Sequence, residues 1–189
     1  MKCDVVSAIF HPSVVTFVVF LSVILYLNLG LIPLLVVTVF YSLLPFLIVL
    51  IMKELNFVSD IYVSKRNERI IPMILALISY VIGLLFLIND YFMFNVLLIY
   101  IINTLIILVV TLKFKISVHV STTVGSISLL VFVLGFSFIF LYLFGILISY
   151  VRYKMKAHTL SQVISAWIFG PLSYIEFYIM FHTFFYVRT

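Results

Sequence analysis

Long apolar runs with almost no charged residues follow one another along this chain, and they constrain its fold more than any other feature. A helix needs about 20 apolar residues to cross a bilayer, and four such runs occupy 13–29, 31–52, 70–89 and 91–112. The chain is 66% hydrophobic and 9% charged, against roughly 45–50% and 25% in a soluble domain. A water-soluble fold of 189 residues cannot bury so much apolar surface, so the sequence predicts an integral membrane protein.

The C-terminal half adds three more predicted helices. Residues 117–150 carry no Asp, Glu, Lys or Arg over 34 residues, which is too long for one span and short for two. We therefore expect a turn near Gly135 and a helix of about 17 residues on either side, the lower end of the spanning range. The last run extends from His158 to about residue 180. The predicted fold is an all-α polytopic transmembrane bundle of six to seven spans, forming one membrane domain over 1–189.

The charged residues fall mainly on one side of this predicted bundle. Segments 53–69, 113–119 and 150–158 are each separated by two helices, so all three emerge on the same side, here called the loop face. They hold nine of the eleven basic residues, with Lys2 on the same side and Arg188 on the other. Because Lys and Arg concentrate in cytoplasmic loops, we expect a cell-membrane protein whose loop face is cytoplasmic.

Two histidines stand where apolar runs begin at the loop face. His119 and His158 each follow a basic cluster, and a helix start offers free N–H groups to an anion. Imidazole titrates near neutral pH, so one histidine can attack phosphorus while the other protonates the leaving oxygen. Arginine forks match phosphate oxygens, and serine is a common N-cap. The candidate phosphate-binding residues are Lys65, Arg66, Arg69, Ser117 and Arg152.

The residue four positions after His158 is suited to orient it. Gln162 shares a helix face with His158, so its side-chain oxygen can accept the Nδ1–H and leave Nε2 free as the nucleophile, as the Asp of a catalytic triad does. No Cys, His or acidic cluster has metal-ligand spacing, and we expect neither metal nor cofactor. His11 and His182 fit no motif and are assigned to the membrane interface. Glu176 is placed near the far end of the last helix.

These residues resemble the motifs of a known family. "RYKMKAH" is an Arg, five residues and a His, with Gln162 four residues later, and "SVH" lies two short helices upstream. The pattern resembles the type 2 phosphatidic acid phosphatase superfamily, the lipid phosphate phosphatases, over roughly 53–170. That family's third motif is Ser-Arg, five residues, His, three residues, Asp, and its second is Pro-Ser-Gly-His. In this chain Gln162 replaces the Asp and "ISVH" replaces the second motif, as in a divergent branch, while the first motif, a Lys, six residues and Arg-Pro, does not fit in register.

The resemblance implies a metal-independent hydrolase that removes phosphate from a lipid phosphate or polyprenyl diphosphate. His158 then becomes phosphohistidine, His119 is the general acid, and Arg152 and Ser117 bind phosphate. The expected partners are the bilayer and a membrane lipid, with no nucleic acid. A non-catalytic lipid-phosphate binding or transport protein is an alternative that Gln162 permits. An intramembrane prenyltransferase is a further alternative, but it needs two Asp-rich loops to hold Mg²⁺, whereas Asp60 and Asp90 are single and fall on opposite predicted faces.

Overall fold

The computed structural model of the chain describes residues 3–186, and this part consists of helices and connecting loops with no strand. The helices are α1 Cys3–Ile9, α2 Pro12–Tyr26, α3 Leu31–Glu54, α4 Ile70–Leu85, α5 Tyr91–Lys113, α6 Val118–Leu134, α7 Tyr142–Lys154, α8 Leu160–Ile164 and α9 Phe169–Tyr186. Short 3₁₀ segments precede α4 at Arg66–Arg69, precede α7 at Phe136–Leu141 and join α8 to α9 at Ser165–Ile168. Within α3, Val37–Leu43 is π-helical.

The helix lengths agree with a protein that crosses a membrane several times. Among the described residues, five helical units are long and apolar enough to span, namely Leu31–Glu54, Arg66–Leu85, Tyr91–Lys113, Phe136–Lys154 and Leu160–His182. Helices α1 and α2, bent by 47°, form a sixth if they count as one span. Helix α6 is also apolar but has only 17 residues. The all-α transmembrane bundle is confirmed, and the chain is an integral membrane protein.

The predicted break at Gly135 is also confirmed. Helix α6 ends there at a φ of 105°, a left-handed conformation that glycine adopts readily and other residues avoid. The chain then continues through the 3₁₀ segment into α7, which packs against α6. As a result the chain returns to the loop face, where the Lys115 ammonium donates to the Ala157 carbonyl at 2.8 Å.

Helix α6 is the most buried helix and carries His119 near its first turn. It packs against α2, α7 and α9, and small residues permit the close approach. A Cβ on Gly145 of α7 would lie 2.9 Å from Val124 Cγ1, and one on Gly125 would lie 3.1 Å from Ser173 Oγ. Small residues commonly support such close helix packing in membranes. Because α6 is surrounded by protein, His119 faces the bundle interior and not the lipid.

The three loop segments meet, as the helix count predicts. Arg66 donates to the Lys113 carbonyl at 2.7 Å and Arg69 to the Ile116 carbonyl at 2.8 Å. The Ser117 N–H donates to the Gln162 carbonyl at 3.3 Å. These bonds fix the first loop to the second and the second to the third.

Candidate functional site

The first loop is organised by the Asp60 carboxylate. It accepts the Tyr62 N–H at 2.8 Å, the Ser64 N–H at 3.1 Å and the Ser64 hydroxyl at 3.1 Å. This turn directs the Val63 carbonyl toward Arg69, whose Nε donates to it at 2.8 Å. Asp60 is therefore engaged in shaping the loop. Within residues 3–186 the ion pair found at 4 Å or less is Lys65–Glu68, so neither Arg69 nor Arg152 has a carboxylate partner there.

Arg152 is buried with part of its guanidinium unpartnered. Its side chain is 1% exposed; one terminal nitrogen donates to Ser7 Oγ at 2.7 Å, and the guanidinium carbon lies 5.5 Å from the centre of the Tyr62 ring. Its Nε and other terminal nitrogen have no hydrogen-bond partner. A buried donor left unsatisfied costs about 1–3 kcal/mol, and more when it is charged. Two free donors on one guanidinium match the edge of a phosphate or carboxylate.

Arg69 is the second buried guanidinium and reaches His158. It is 4% exposed, and the Val63 and Ile116 carbonyls hold two of its nitrogens. The third nitrogen, Nη2, lies 3.4 Å from Nε2 of His158. Arg69 is thus fixed by backbone acceptors from two loops, while its remaining nitrogen faces the third loop.

The hydrogen bonds around His158 define its tautomer. Its Nδ1 lies 3.1 Å from Gln162 Oε1, the contact expected from the sequence, and the Thr159 N–H donates to the same oxygen at 3.2 Å. A backbone N–H only donates, so the shared atom is the amide oxygen and Nδ1 of His158 carries the proton. Thr159 and Gln162 form a capping box that begins α8. The lone pair on Nε2 therefore faces Arg69.

The surroundings of His158 keep its imidazole neutral. Burial lowers its pKa to about 3, and the positive charges of Arg69, Arg152 and Lys115 act in the same direction, while the Gln162 bond opposes them. Burial and the two arginines also lower the pKa of Lys115. A neutral imidazole with an unprotonated Nε2 is the form required of a nucleophile.

His119 and His11 form a second histidine group inside the bundle. Both are buried, and their rings lie 5.7 Å apart. His119 Nε2 has no hydrogen-bond partner. His11, which the sequence placed at the interface, accepts the Ser13 N–H on Nδ1 at 3.3 Å. Sequence reasoning missed this position because His11 belongs to no motif; its one signal is a histidine directly before a Pro-Ser helix start.

The two predicted catalytic histidines line different spaces. His119, His11, Tyr62 and Arg69 line a partly open cavity. Much of its remaining lining is apolar, including Pro45, Val49, Met73 and Ala76. His158 lines an outer depression with Lys115, Thr159 and Gln162. Arg69 joins the two, because it lines the cavity and contacts His158.

The remaining predicted phosphate-binding residues divide into two groups. Ser117 is fully buried, and its hydroxyl has no partner. Arg66 is partly exposed and links two loops through the Lys113 carbonyl. Lys65 is 69% exposed and pairs with Glu68. The structure therefore places Arg69, Arg152 and Ser117 in the interior and leaves Lys65 and Arg66 at the edge, while Lys115, which was not predicted, lies beside His158.

Comparison with protein-family models, curated proteins and solved structures finds no match to this chain. The resemblance to the lipid phosphate phosphatases thus depends on the quoted motif residues. The geometry adds an observation that is independent of it: two buried guanidiniums and a partly buried ammonium converge with no carboxylate in contact within the described residues, while Asp60 acts on all three charges from a greater distance. This arrangement is suited to an anionic ligand.

The hydrogen bond from His158 to Gln162 can be tested through the pKa of His158. Changing Gln162→Glu keeps the length of the side chain but places a carboxylate on Nδ1–H, which favours the charged imidazole, so the pKa of His158 should rise by about 1–3 units from about 3. Histidine-selective NMR titration of the purified protein measures it, with His158→Asn identifying the resonance. Gln162→Met, which has similar length and no acceptor, should not raise the pKa. A wild-type midpoint near 6.5, or equal shifts in both variants, would contradict the geometry described.

Proposed function

We propose that this chain is a membrane phosphatase that removes phosphate from a lipid phosphate or polyprenyl diphosphate, with His158 as the nucleophile. The observation that carries the proposal is the buried Arg152, two of whose nitrogens have no partner, together with Arg69 against Nε2 of His158. An interior site with this much unpaired positive charge favours a multiply charged anion. A neutral histidine with its lone pair toward that charge favours attack on the anion.

The proposed reaction proceeds in two displacements. Nε2 of His158 attacks phosphorus, the bond from phosphorus to the lipid oxygen breaks, and that oxygen takes a proton from His119. Water then attacks the phosphohistidine, passes its proton to His119, and releases inorganic phosphate with the histidine restored. A bound phosphate brings negative charge near His119 and so favours the protonated form that the general acid needs.

The surrounding residues have separate roles in this proposal. Arg152 supplies two donors to phosphate oxygens, and Arg69 turns its free nitrogen from His158 to the phosphate as the substrate enters. The Ser117 hydroxyl and the N-terminus of α6 add further donors. The apolar part of the cavity near Met73 and Ala76 offers a lipid chain a lining without charge.

A second candidate is a protein that binds a lipid phosphate without turnover. Two observations favour it. Gln162 is uncharged and stabilises an imidazolium less than a carboxylate does, and His119 and His158 line separate spaces. In this alternative the arginines hold the phosphate and His158 only contacts it.

Phosphate release from purified protein separates the two candidates. We expect inorganic phosphate from at least one of phosphatidate, phosphatidylglycerophosphate and a polyprenyl diphosphate. His158→Asn should reduce the rate by about a thousandfold or more, the order found when a catalytic nucleophile is removed. The same substitution at the exposed His182 is the matched control and should leave the rate unchanged.

If no phosphate is released, lipid binding measured by native mass spectrometry separates the remaining possibilities. Binding that survives His158→Asn, is lost in Arg152→Gln and is never followed by phosphate release supports the binding protein. Absence of both release and binding for every lipid rejects both candidates. Equal release from wild type and His158→Asn rejects His158 as the nucleophile.

We also propose that the loop face lies on the cytoplasmic side of the cell membrane. Lys2 and Arg188 lie outside the described residues; the other nine basic residues are Lys53, Lys65, Arg66, Arg69, Lys113, Lys115, Arg152, Lys154 and Lys156. All nine belong to the three loops or the helix ends beside them. Short loops with such a bias face the cytoplasm, which favours a cytoplasmic lipid phosphate as the substrate.

Cysteine labelling in intact cells tests this orientation. After Cys3→Ser, the exposed positions 154 and 89 are changed singly, as Lys154→Cys and Asn89→Cys. A membrane-impermeant maleimide should label the second variant and not the first, and permeabilised cells should label both. Labelling of the first variant alone in intact cells would show that the loop face is external.

A further inference from the structure

The sequence placed Glu176 near the far end of the last helix. In the structure it is half-buried and lies at the mid-depth of the bundle, against α5. Its carboxylate accepts the side-chain N–H of Asn103 at 2.5 Å, and Asn103 is the thirteenth of the 23 residues of α5. The last helical unit continues to Tyr186, beyond the predicted end near residue 180, so Glu176 falls at the mid-length of its neighbour. Ionisable residues at such depth are costly, and they characteristically face a bundle interior or a watery cavity.

A cavity beside this pair contains polar atoms that lack partners. Asn103 Oδ1 and Ser126 Oγ are both buried and have no hydrogen-bond partner. Both residues line a small, partly open space, to which Thr104, Thr122 and Ser173 also contribute. An amide oxygen can only accept, so Asn103 Oδ1 requires a donor from within that space. The rest of the lining is largely apolar, so water in this space is held by these few polar groups.

This inner cavity adjoins the one that contains His119 and Arg69. Tyr100, Thr104, Ile107 and Thr122 line both, and three of these four residues carry a hydroxyl. Hydroxyl-bearing residues shared by the two cavities therefore extend from the cavity at the loop face to Asn103, the partner of Glu176, which itself lines neither cavity. The opposite direction offers no such route in the described lining, where Phe20, Leu129 and Phe177 occur.

The helices around Glu176 bring no cation into contact with its carboxylate within the described residues. Besides Glu176, the titratable residues of these elements are Tyr91, Tyr100 and Lys113 on α5, His119 on α6, and Tyr174, Tyr178, His182 and Tyr186 on α9. Lys113 lies at the last position of α5, ten residues and about 15 Å from Asn103 at 1.5 Å per residue. His182 is six residues along α9, about 9 Å by the same measure, and His119 is at the start of α6. Because no cation compensates the charge of this carboxylate, binding a proton is the way to remove that charge.

We propose that Glu176 is a proton-binding site within the membrane and that its proton arrives from the loop face through the two adjoining cavities. Binding forms one O–H bond on a carboxylate oxygen, takes one proton from water and consumes nothing else. Asn103 holds the carboxyl through its N–H and keeps its own oxygen toward the cavity water. The proposal does not depend on phosphate chemistry at His158.

Infrared spectroscopy of the reconstituted protein tests the site. A C=O band of a buried protonated carboxyl should grow as the pH is lowered, and it should be absent from Glu176→Gln, which preserves the shape of the side chain. Glu54→Gln, at an exposed position, is the matched control and should retain the band. If the wild type has no such band at any pH at which it remains folded, or if the band persists in Glu176→Gln, the site is rejected.

Exchange of that carboxyl proton in D₂O tests the route. Thr122→Val replaces a hydroxyl where the cavities meet with a methyl group, and it should slow the exchange about tenfold, as expected for the loss of about one hydrogen bond from the path. Thr111→Val is the matched control, because Thr111 is buried on α5 and lines neither cavity. An exchange rate unchanged by Thr122→Val, or slowed equally by both variants, would reject entry of the proton from the loop face.

Discussion

Positive charge held in the interior without a carboxylate in contact is the constraint on which the site depends, because Asp60 acts on the two guanidiniums only from a greater distance. The Arg152 and Arg69 guanidiniums are buried, and within the described residues neither forms an ion pair. Such charges are expensive to bury, and backbone carbonyls, a serine and a tyrosine ring offset only part of the cost. The lowered pKa of His158 follows from the same burial and charge. A bound anion would complete the arrangement, since it supplies acceptors for the free nitrogens of Arg152.

The bundle produces this constraint by bringing three distant segments together. Two helices separate each loop from the next along the chain. The hydrogen bonds from Arg69 to Ile116 and from Lys115 to Ala157 then hold the three loops together. Helix α6 is central because it is short, ends at Gly135 and packs closely against its neighbours. Its first turn consequently lies within the protein, where Ser117 and His119 are protected from lipid.

The sequence predicted the parts of this structure that depend on local rules. Apolar run length located the spans, glycine located the break at Gly135, and four-residue spacing located the bond between His158 and Gln162. It could not predict features set by packing between distant segments. The N-terminal helix α1 contains no recognisable motif, yet its Ser7 accepts a hydrogen bond from Arg152. Lys65 and Arg66 are basic residues like the buried Arg69 and Arg152, so residue type does not distinguish them. Only the path of the first loop places them at the edge of the site. The depth of Glu176 in the membrane could not be predicted without knowing that it contacts Asn103 of α5.

The most direct measurement of the central claim is whether inorganic phosphate stabilises the protein through Arg152. The unfolding midpoint in detergent is followed against phosphate concentration, with chloride keeping the ionic strength constant because surface charges respond to salt. A ligand of the folded state adds RT ln(1 + [L]/Kd), about 2.7 kcal/mol at a hundred times Kd. We predict that phosphate raises the midpoint of the wild type and of Arg66→Gln, whose guanidinium bonds the Lys113 carbonyl at the edge, but not that of Arg152→Gln. No rise in the wild type, or an equal rise in Arg152→Gln, would contradict an anion site at the buried arginines.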